Sequence, residues 1–319
     1  MSFLEIENLS VQFQSKDQVI TPVDRISFDI KQGEIVGLVG ESGCGKTVTA
    51  LSILRLLSEP PARIASGKIL FEGNDLLSFD NKQLREIRGN QIAMIFQEPM
   101  GAFNPILTIG DQLTEGMMIH LGQTKKDSRI KAIDLLGKVG LSDPEKCIDY
   151  YPHQLSGGML QRVMIAIAIS CSPKLIIADE PTTSLDATIQ MQILELLKQL
   201  VIDFKLSLLL ITHNLGIVAN YADRVNIMYS GKLIEKASVY DLFTNPVHPY
   251  TQALLTSIPN IADNSLLTSI QGEPPNLYDL PSGCYFAPRC PKVQLKCKKQ
   301  PELFEIKKNH LGACWFMSD

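Results

Sequence analysis

The sequence predicts an α/β fold built around a phosphate-binding loop, and three observations support this prediction. Residues 34–39 form an apolar, strand-like segment that leads into residues 40–47, which match the pattern Gly-x-x-x-x-Gly-Lys-Ser/Thr and precede a helix-like segment. Residues 175–180 form a second compact apolar segment that ends in two carboxylates. Residues 206–211 form a third, and a helix predicted at residues 187–204 separates the last two. Compact apolar strands that alternate with helices are typical of a buried parallel sheet.

The remaining segments indicate how the chain is divided into domains. Residues 3–30 alternate apolar and polar side chains in short runs, which predicts a small antiparallel β subdomain. At about residues 99–173, helical periodicity replaces the strand pattern and predicts an inserted helical subdomain. We therefore predict a nucleotide-binding domain at residues 1–230, a proline-rich connector at 231–283 and a small cysteine-rich extension at 284–319.

The overall composition limits the classes of partner and compartment. The net charge is −4, so no basic field favours nucleic acid as a partner, and we expect none. Seven cysteines in 319 residues do not form a disulfide scaffold, and with a nucleotide-binding loop they predict a reducing, cytosolic environment. The longest apolar run has seven residues, 163–169, so we expect the chain to dock on a membrane through a partner and not to span it.

The residue types of the loop fit phosphate binding. Gly40, Gly43 and Gly45 allow positive φ angles and a close approach of backbone N–H groups to phosphate oxygens. Lys46 supplies a positive charge for the β- and γ-phosphates, and the Thr47 hydroxyl is suited to ligate Mg²⁺. The further nucleotide contacts that we predict here are Ser42, Cys44 and Thr49. At Cys44 we expect the backbone to make the contact.

Two further segments have residue types suited to phosphate chemistry. At the end of the strand predicted at residues 175–178, Asp179 is suited to hold Mg²⁺ and Glu180 to polarise an attacking water. Twenty-three residues before Asp179, Ser156 is a good helix N-cap, and Gly157 and Gly158 leave the helix N-terminus open to a phosphate. Each segment alone would be an ordinary strand end or helix cap, but with Lys46 in the same chain we predict a nucleotide site.

Taken together, the chain resembles the ATP-binding subunit of an ABC transporter, whose fold is a P-loop NTPase. Its motifs occur here in the family's order: an aromatic residue for the adenine at Phe13, Walker A at 40–47, a Q-loop at Gln97, the signature at 155–159, Walker B at 175–180, a D-loop at Ser184, Leu185 and Asp186, and a switch histidine at His213. The resemblance implies that Gln97 reaches Mg²⁺ or the attacking water, that His213 binds the γ-phosphate and orients Glu180, and that Asp186 contributes to the nucleotide site.

The resemblance also implies that two such subunits enclose two ATP molecules. Each ATP would be held by Walker A of one subunit and by Ser156, Gly157 and Gly158 of the other. Met159 and Asn214 depart from the general pattern, which has Gln at the first position and commonly an acidic residue at the second.

The four late cysteines, Cys284, Cys290, Cys297 and Cys314, are separated by five, six and sixteen residues. This spacing lacks the paired pattern of many zinc modules, and it leaves zinc, an iron–sulfur cluster and free thiols all open. The segments at 245–250, 272–276 and 283–291, with the last two cysteines, resemble the C-terminal extension of dipeptide and oligopeptide importer ATPases. That resemblance implies a [4Fe-4S] cluster on the four cysteines, with zinc as the second choice, and it makes Met159 a feature of the subfamily.

We therefore expect an ATPase that powers import of di- and oligopeptides. It would lie peripherally on the cytoplasmic face of the cell membrane. The partners that the resemblance implies are a paralogous ABC ATPase as heterodimer partner, two transmembrane permease subunits and an extracytoplasmic substrate-binding protein. The same architecture with nickel or another metal chelate as cargo is the main alternative. A soluble ABC ATPase acting on DNA or ribosomes would carry two cassettes or a long coiled-coil insertion, and an unrelated kinase would not explain residues 155–159.

Overall fold

The structure is a computed structural model that describes residues 3–15, 18–183, 185–257 and 270–316. It divides into two compact units, each of which has its own set of contacts. The first unit is formed by the chain up to Leu77 and from Leu210 onward, and the second by Ser78–Leu209. In the described part of the chain, no helix combines the length and the apolar character that crossing a bilayer requires.

The strands among the described residues are, in chain order, β1 (Leu4–Gln14), β2 (Val19–Ile30), β3 (Ile35–Val39), β4 (Ala62–Phe71), β5 (Asn74–Asp75), β6 (Ile92–Ile95), β7 (Leu175–Asp179), β8 (Ser207–Thr212), β9 (Arg224–Tyr229), β10 (Lys232–Ser238), β11 (Phe304–Lys307) and β12 (His310–Gly312).

The α-helices among the same residues are α1 (Lys46–Ile53), α2 (Asn81–Ile87), α3 (Pro99–Ala102), α4 (Ile109–Leu121), α5 (Lys125–Lys138), α6 (Pro144–Cys147), α7 (Gly157–Ile169), α8 (Ala187–Phe204), α9 (Leu215–Tyr221), α10 (Val239–Thr244) and α11 (Pro249–Thr256). The predicted strands near residues 34–39, 175–178 and 206–211 and the predicted helix at 187–204 are confirmed by β3, β7, β8 and α8.

The first unit contains the antiparallel sheet that the alternating pattern near the N-terminus predicts. Its strand order is β2-β1-β4-β5. Leu4 lies opposite Ile30 on β2 and opposite Phe71 on β4, so β1 is an inner strand of the sheet. On β2 the buried residues Ile26, Phe28 and Ile30 alternate with more exposed ones, which gives one face to the core.

The first unit also contains a mixed set of strands in the order β11-β12-β10-β9-β3. β3 and β9 are parallel, whereas β9, β10, β12 and β11 pair antiparallel. Every residue of β3 is buried, which explains its uninterrupted apolar sequence. The C-terminal strands continue this sheet beyond residue 230, which the sequence pattern did not predict.

One hydrophobic core joins the C-terminal part of the chain to these strands. It contains Val39 at the end of β3, Tyr229 at the end of β9, Tyr250 on α11 and Phe286 near the four cysteines, all of them buried. The ring centroids of Tyr229 and Tyr250 lie 4.7 Å apart, and those of Tyr229 and Phe286 lie 5.3 Å apart. α11 and the segment around Phe286 therefore share a core with the end of β3, the strand that leads into the phosphate loop.

The second unit combines parallel strands with helices. β6 and β7 are parallel neighbours, with Ile92 opposite Leu175 and Ile95 opposite Ala178. The helices α3–α7 occupy the part of the chain where helical periodicity replaced the strand pattern, and α7 packs against α3, α4 and α5. β8 carries the chain from the second unit back into the first.

Candidate functional site

The phosphate loop connects β3 to α1, and its glycines have conformations that other residues would not tolerate. Gly43 and Gly45 have φ angles of 78° and 106°. A Cβ atom on Gly45 would lie 2.1 Å from the carbonyl oxygen of Pro22, and one on Gly40 would lie 2.2 Å from that of Met228. Gly45 is the N-cap of α1 and has no side chain to cap it, so the first-turn N–H groups can face an anion.

Lys46 lies inside the loop and is only 5% exposed. Its Nζ donates to the carbonyl oxygens of Gly40 and Glu41, at 2.8 and 2.9 Å, and lies 3.8 Å from the Cys44 sulfur. Burial raises the pKa of the Cys44 thiol, which keeps this side chain neutral beside the ammonium group. The positive charge is therefore fixed at the inner face of the loop.

The other predicted contacts of the loop differ in exposure. Ser42, Gly43 and Thr47 are exposed, so their polar groups are accessible to a ligand. Thr49 is buried, and its hydroxyl donates to the carbonyl oxygen of Gly45 at 2.9 Å. That hydrogen bond fastens the end of the loop to α1.

Two contacts to the loop come from the C-terminal part of the chain, and sequence reasoning missed both of them. The Glu41 N–H donates to the Tyr250 hydroxyl, and the Glu41 carboxylate is ion-paired with Arg289. Tyr250 and Arg289 both lie in segments that carry the resemblance to peptide importers. No local pattern links them to residue 41, because 209 and 248 residues separate the partners.

Phe13 and His213, the predicted adenine and switch residues, also belong to the first unit. Phe13 is half-buried on β1, opposite Ile20 on β2 and Ala62 on β4. His213 is exposed directly after β8. The next residue, Asn214, caps α9 by accepting the Gly216 N–H at 2.8 Å, so the departure from an acidic residue keeps a good N-cap.

Two predicted site residues of the second unit, Asp179 and Glu180, lie at the end of β7. Asp179 is buried, whereas Glu180 is partly exposed and has a positive φ of 45°. The Glu180 carboxylate accepts a hydrogen bond from the Thr183 hydroxyl at 2.9 Å. A non-glycine residue with positive φ is uncommon and is often found at functional sites.

Gln97 follows the neighbouring strand β6 and is exposed. Because β6 and β7 are parallel and Ile95 lies opposite Ala178, Gln97 and Glu180 leave the sheet at the same edge. The second unit therefore places an amide, Gln97, and two carboxylates at one strand edge.

The signature segment precedes α7, and its polar residues face outward. Ser156 caps the helix by accepting the Met159 N–H at 3.4 Å. Ser156 and Gly157 are exposed, and Gly158 is partly exposed. A Cβ on Gly157 would have no neighbour nearer than 3.9 Å, and one on Gly158 would lie 3.1 Å from Ile189.

Asp186, from the predicted D-loop, is exposed and caps α8 by accepting the Ile189 N–H at 3.0 Å. Ser184, the first residue of that motif, lies outside the described residues.

The prediction of a [4Fe-4S] cluster on the late cysteines, with zinc as second choice, is wrong. Within residues 3–15, 18–183, 185–257 and 270–316, no group of three or more His, Cys, Asp or Glu side chains is arranged to hold a metal ion. Cys284, Cys290, Cys297 and Cys314 border a cavity of about 10 Å³, which is room for roughly one water molecule. Burial raises the pKa of Cys284 to about 11 and also raises the pKa of Cys290 and Cys314.

Comparison with known proteins gives two family matches. Residues 23–183 match the ABC transporter family, and residues 234–297 match the C-terminal region of oligopeptide/dipeptide transporters. The two matches together include the phosphate loop, the signature segment, β7 and three of the four late cysteines.

Several relatives align with nearly the full chain. The oligopeptide transport ATP-binding protein AppD of Bacillus subtilis is 51% identical and covers 100% of this chain and 98% of its own. The dipeptide transport ATP-binding proteins DppD of Haemophilus influenzae and Escherichia coli are 49% and 46% identical and cover 96% and 100% of this chain and 93% and 98% of their own. These three names describe ATP-binding transport proteins and mention no iron–sulfur cluster.

Two solved structures share the fold. The dimeric, post-hydrolysis ATP-binding cassette MJ0796 bound to ADP and Pi has a TM-score of 0.67 at 25% identity and covers 74% of this chain and 98% of its own. CbiO1 of Clostridium perfringens, part of the CbiONQ transporter complex, has a TM-score of 0.64 at 25% identity and covers 76% of this chain and 90% of its own.

Proposed function

The chain belongs to the ABC transporter family of transport-coupled ATPases, and on that premise we propose that its ATP hydrolysis powers the import of dipeptides and oligopeptides. The observation that supports peptides as the cargo is the match of residues 234–297 to the C-terminal region of oligopeptide/dipeptide transporters. The full-length relatives AppD and DppD are named for the same cargo, so nickel or another metal chelate is not favoured. The boundaries that we propose remain 1–230, 231–283 and 284–319, the last as an extension without a metal.

The first unit supplies the residues that would bind ATP. The N–H groups of Gly43 and Gly45 and the Lys46 ammonium would contact the phosphates, and Phe13 would stack on the adenine. Ser42, Cys44, Thr47 and Thr49 complete the proposed contacts of this loop. The buried ammonium and the positive φ angles of the glycines support this assignment.

The residues that would hold Mg²⁺ are Thr47, Gln97 and Asp179. All three carry the hydroxyl, amide or carboxylate oxygens that this hard cation prefers, so the donor set fits the ion. When bound, Mg²⁺ would neutralise charge on the β- and γ-phosphate oxygens.

The proposed catalytic residues are Glu180, His213 and Gln97. Glu180 would polarise the attacking water, and its hydrogen bond from Thr183 holds the carboxylate in one orientation. His213 would donate to the γ-phosphate from its exposed position directly after β8. Gln97 would orient the water through its amide.

We propose that the exposed signature segment binds the ATP held by a second ATP-binding subunit. Ser156, Gly157 and Gly158 would contact the γ-phosphate, and Asp186 would lie at the same interface. The open N-terminus of α7 supports this role, and the solved cassette MJ0796 is a dimer. The partner that we propose is a paralogous ATPase, which would make a heterodimer.

The second unit also offers a surface for membrane subunits. Met100 and Ile106 are 59% and 79% exposed, and they follow Phe96 and Gln97 closely in the chain. Exposed apolar side chains mark protein contacts where they form a continuous patch, and we propose such a patch here. We propose that they dock on two permease subunits, that the chain lies peripherally at the cytoplasmic face of the cell membrane, and that an extracytoplasmic binding protein delivers the peptide.

Reconstitution tests this function. The assembled complex in proteoliposomes should take up a radiolabelled dipeptide only with ATP on the side of this subunit, and Glu180→Gln should abolish uptake while retaining bound ATP. Uptake of Ni²⁺ without uptake of peptide would overturn the proposal that the cargo is a peptide. Rapid ATP turnover by Glu180→Gln would remove Glu180 as the catalytic base.

A further inference from the structure

The C-terminal part of the chain holds the phosphate loop at Glu41. The Arg289 guanidinium donates to both carboxylate oxygens of Glu41, from Nη1 at 2.7 Å and from Nη2 at 3.1 Å. The Arg289 side chain is only 5% exposed. A bidentate pair of this kind fixes the orientation of both groups, and in a buried place it is little screened by solvent.

The guanidinium is itself held in place by other groups. Its Nε donates to the carbonyl oxygen of Gln271 at 3.1 Å, and its Nη1 lies 3.3 Å from the Tyr229 hydroxyl. Its carbon lies 5.9 Å from the centre of the Tyr229 ring. Because Tyr229 packs against Tyr250 and Phe286 in the core, Arg289 rests against a well-packed side chain.

Glu41 connects the Arg289 guanidinium to Lys46. The Glu41 N–H donates to the Tyr250 hydroxyl at 3.1 Å, and the Glu41 carbonyl oxygen accepts from the Lys46 Nζ at 2.9 Å. Glu41 is thus held by its carboxylate and by its N–H, while its carbonyl directs the ammonium group. Arg289, Glu41 and Lys46 form a continuous chain of polar contacts.

Residues from the C-terminal part of the chain also line a cavity beside the phosphate loop. Residues 274–278 and residues 41–44 line one cavity of about 270 Å³, together with Ile20, Tyr229 and Ser230. The loop therefore has a neighbour from the C-terminal region next to the exposed residues Ser42 and Gly43, as well as at Glu41.

We propose that Arg289 is a positioning residue for ATP binding, acting through Glu41 on Lys46. This inference rests on the proposed ATP site. It assigns to the C-terminal region a role at the nucleotide loop of its own chain. Loss of the guanidinium should raise the Kd and KM for ATP roughly tenfold, which is about 1.4 kcal/mol. It should leave kcat within about twofold, because the change weakens binding equally in the ground state and the transition state.

The test uses the full chain with a fluorescent ATP analogue, and the assembled complex for KM and kcat. The variants are Arg289→Met, Arg289→Lys, Glu41→Gln and the double variant Glu41→Gln/Arg289→Met. Arg289→Met and Glu41→Gln should each weaken binding about tenfold, and the double variant should be no weaker than either, because both remove one interaction. Arg289→Lys should restore part of the affinity, since it keeps the charge without the bidentate geometry.

Arg224→Met is the matched control. Arg224 pairs with Glu34 and Asp29, at 2.8 and 2.9 Å, and lies opposite Val36, at the end of β3 away from the loop. This control should lower the melting temperature and leave the ATP Kd within about twofold.

Two results would overturn the inference: an unchanged ATP Kd in Arg289→Met with a loss of stability like that of Arg224→Met, or strictly additive effects of the Glu41 and Arg289 changes. The variant Lys46→Ala distinguishes a failure of the proposed ATP site from a failure of the proposed role of Arg289. If Lys46→Ala bound ATP like the wild type, the proposed ATP site itself would fail, whereas an effect at Lys46 with none at Arg289 would overturn only the role of Arg289.

Discussion

The phosphate loop and the signature segment both place glycines at the start of a helix, but their surroundings differ. Around the loop, a Cβ atom on Gly40 or Gly45 would lie 2.2 or 2.1 Å from a backbone oxygen of the same chain. Around the signature segment, a Cβ atom on Gly157 would find nothing nearer than 3.9 Å. Lys46 is buried in the loop, whereas Ser156 is exposed.

The difference shows where the need for glycine comes from. At Gly40 and Gly45 the chain's own backbone requires it. At Gly157 the fold would accept a methyl group, so the packing of this chain does not require glycine there, which is compatible with the proposed contact to ATP on a second subunit. The loop is completed by its own chain, and on our proposal the signature segment is completed by a partner.

The largest expected effect is at the phosphate loop, the region whose surroundings come from its own chain. Lys46→Ala should weaken ATP binding by roughly 100-fold, because each hydrogen bond to a charged group contributes about 1.5–3 kcal/mol and the ammonium meets more than one phosphate. Titration with a fluorescent ATP analogue measures the change, with the exposed Lys68→Ala as the control. Equal affinities of the two variants would remove Lys46 from the site.

The same chemical change in the two regions sharpens the comparison. Gly40→Ala should destabilise the protein by about 1–3 kcal/mol, because its methyl group must displace backbone. Gly157→Ala should leave stability within about 1 kcal/mol, in the stabilising direction, because Ala favours helix. Urea unfolding measures both.

The activity of Gly157→Ala then tests the partner side of the comparison. ATPase activity of the assembled complex should fall, although the variant chain alone still binds ATP. A Gly157→Ala complex with full ATPase activity would contradict the interpretation that a partner's nucleotide approaches this glycine.

The smallest expected effect compares two helix caps in the second unit. Ser156 caps α7 and Thr124 caps α5, with cap hydrogen bonds of 3.4 and 3.2 Å. Changing either residue to Ala should lower stability by about 1 kcal/mol. Thermal unfolding and the ATPase rate of the complex are measured together. Only Ser156→Ala should reduce the rate, and an equal loss in Thr124→Ala would mean that the serine acts as a cap alone.

Much of the fold and the candidate site could be predicted from local sequence patterns. The phosphate loop, the carboxylates at the end of β7 and the start of α7 each depend on neighbouring residues whose types and spacing determine a local structure. The contact between Glu41 and Arg289 could not be predicted, since it joins residues 248 apart and nothing in the local sequence distinguishes either one from any other charged residue. The short strands β11 and β12 carry too few residues to show a period of two.

The late cysteines show why spacing alone misleads. Cys284, Cys290, Cys297 and Cys314 are brought around one cavity, as their pattern predicted. The size of that cavity and the polarity around the thiols depend on packing with Phe286 and Trp315, which no spacing rule describes. The number and spacing of the cysteines therefore predicted that the four thiols lie close together, but not whether they bind a metal.

The contact between Arg289 and Glu41 also bears on how the protein is made. A ribosome delivers residue 41 early and residue 289 almost 250 residues later, at about 5–20 residues per second. During that interval the phosphate loop of the nascent chain lacks its guanidinium partner. On the proposed role of Arg289, a nascent chain reaches full nucleotide affinity only after residue 289 has been made, so chains that lack this residue should compete poorly for ATP with chains that contain it.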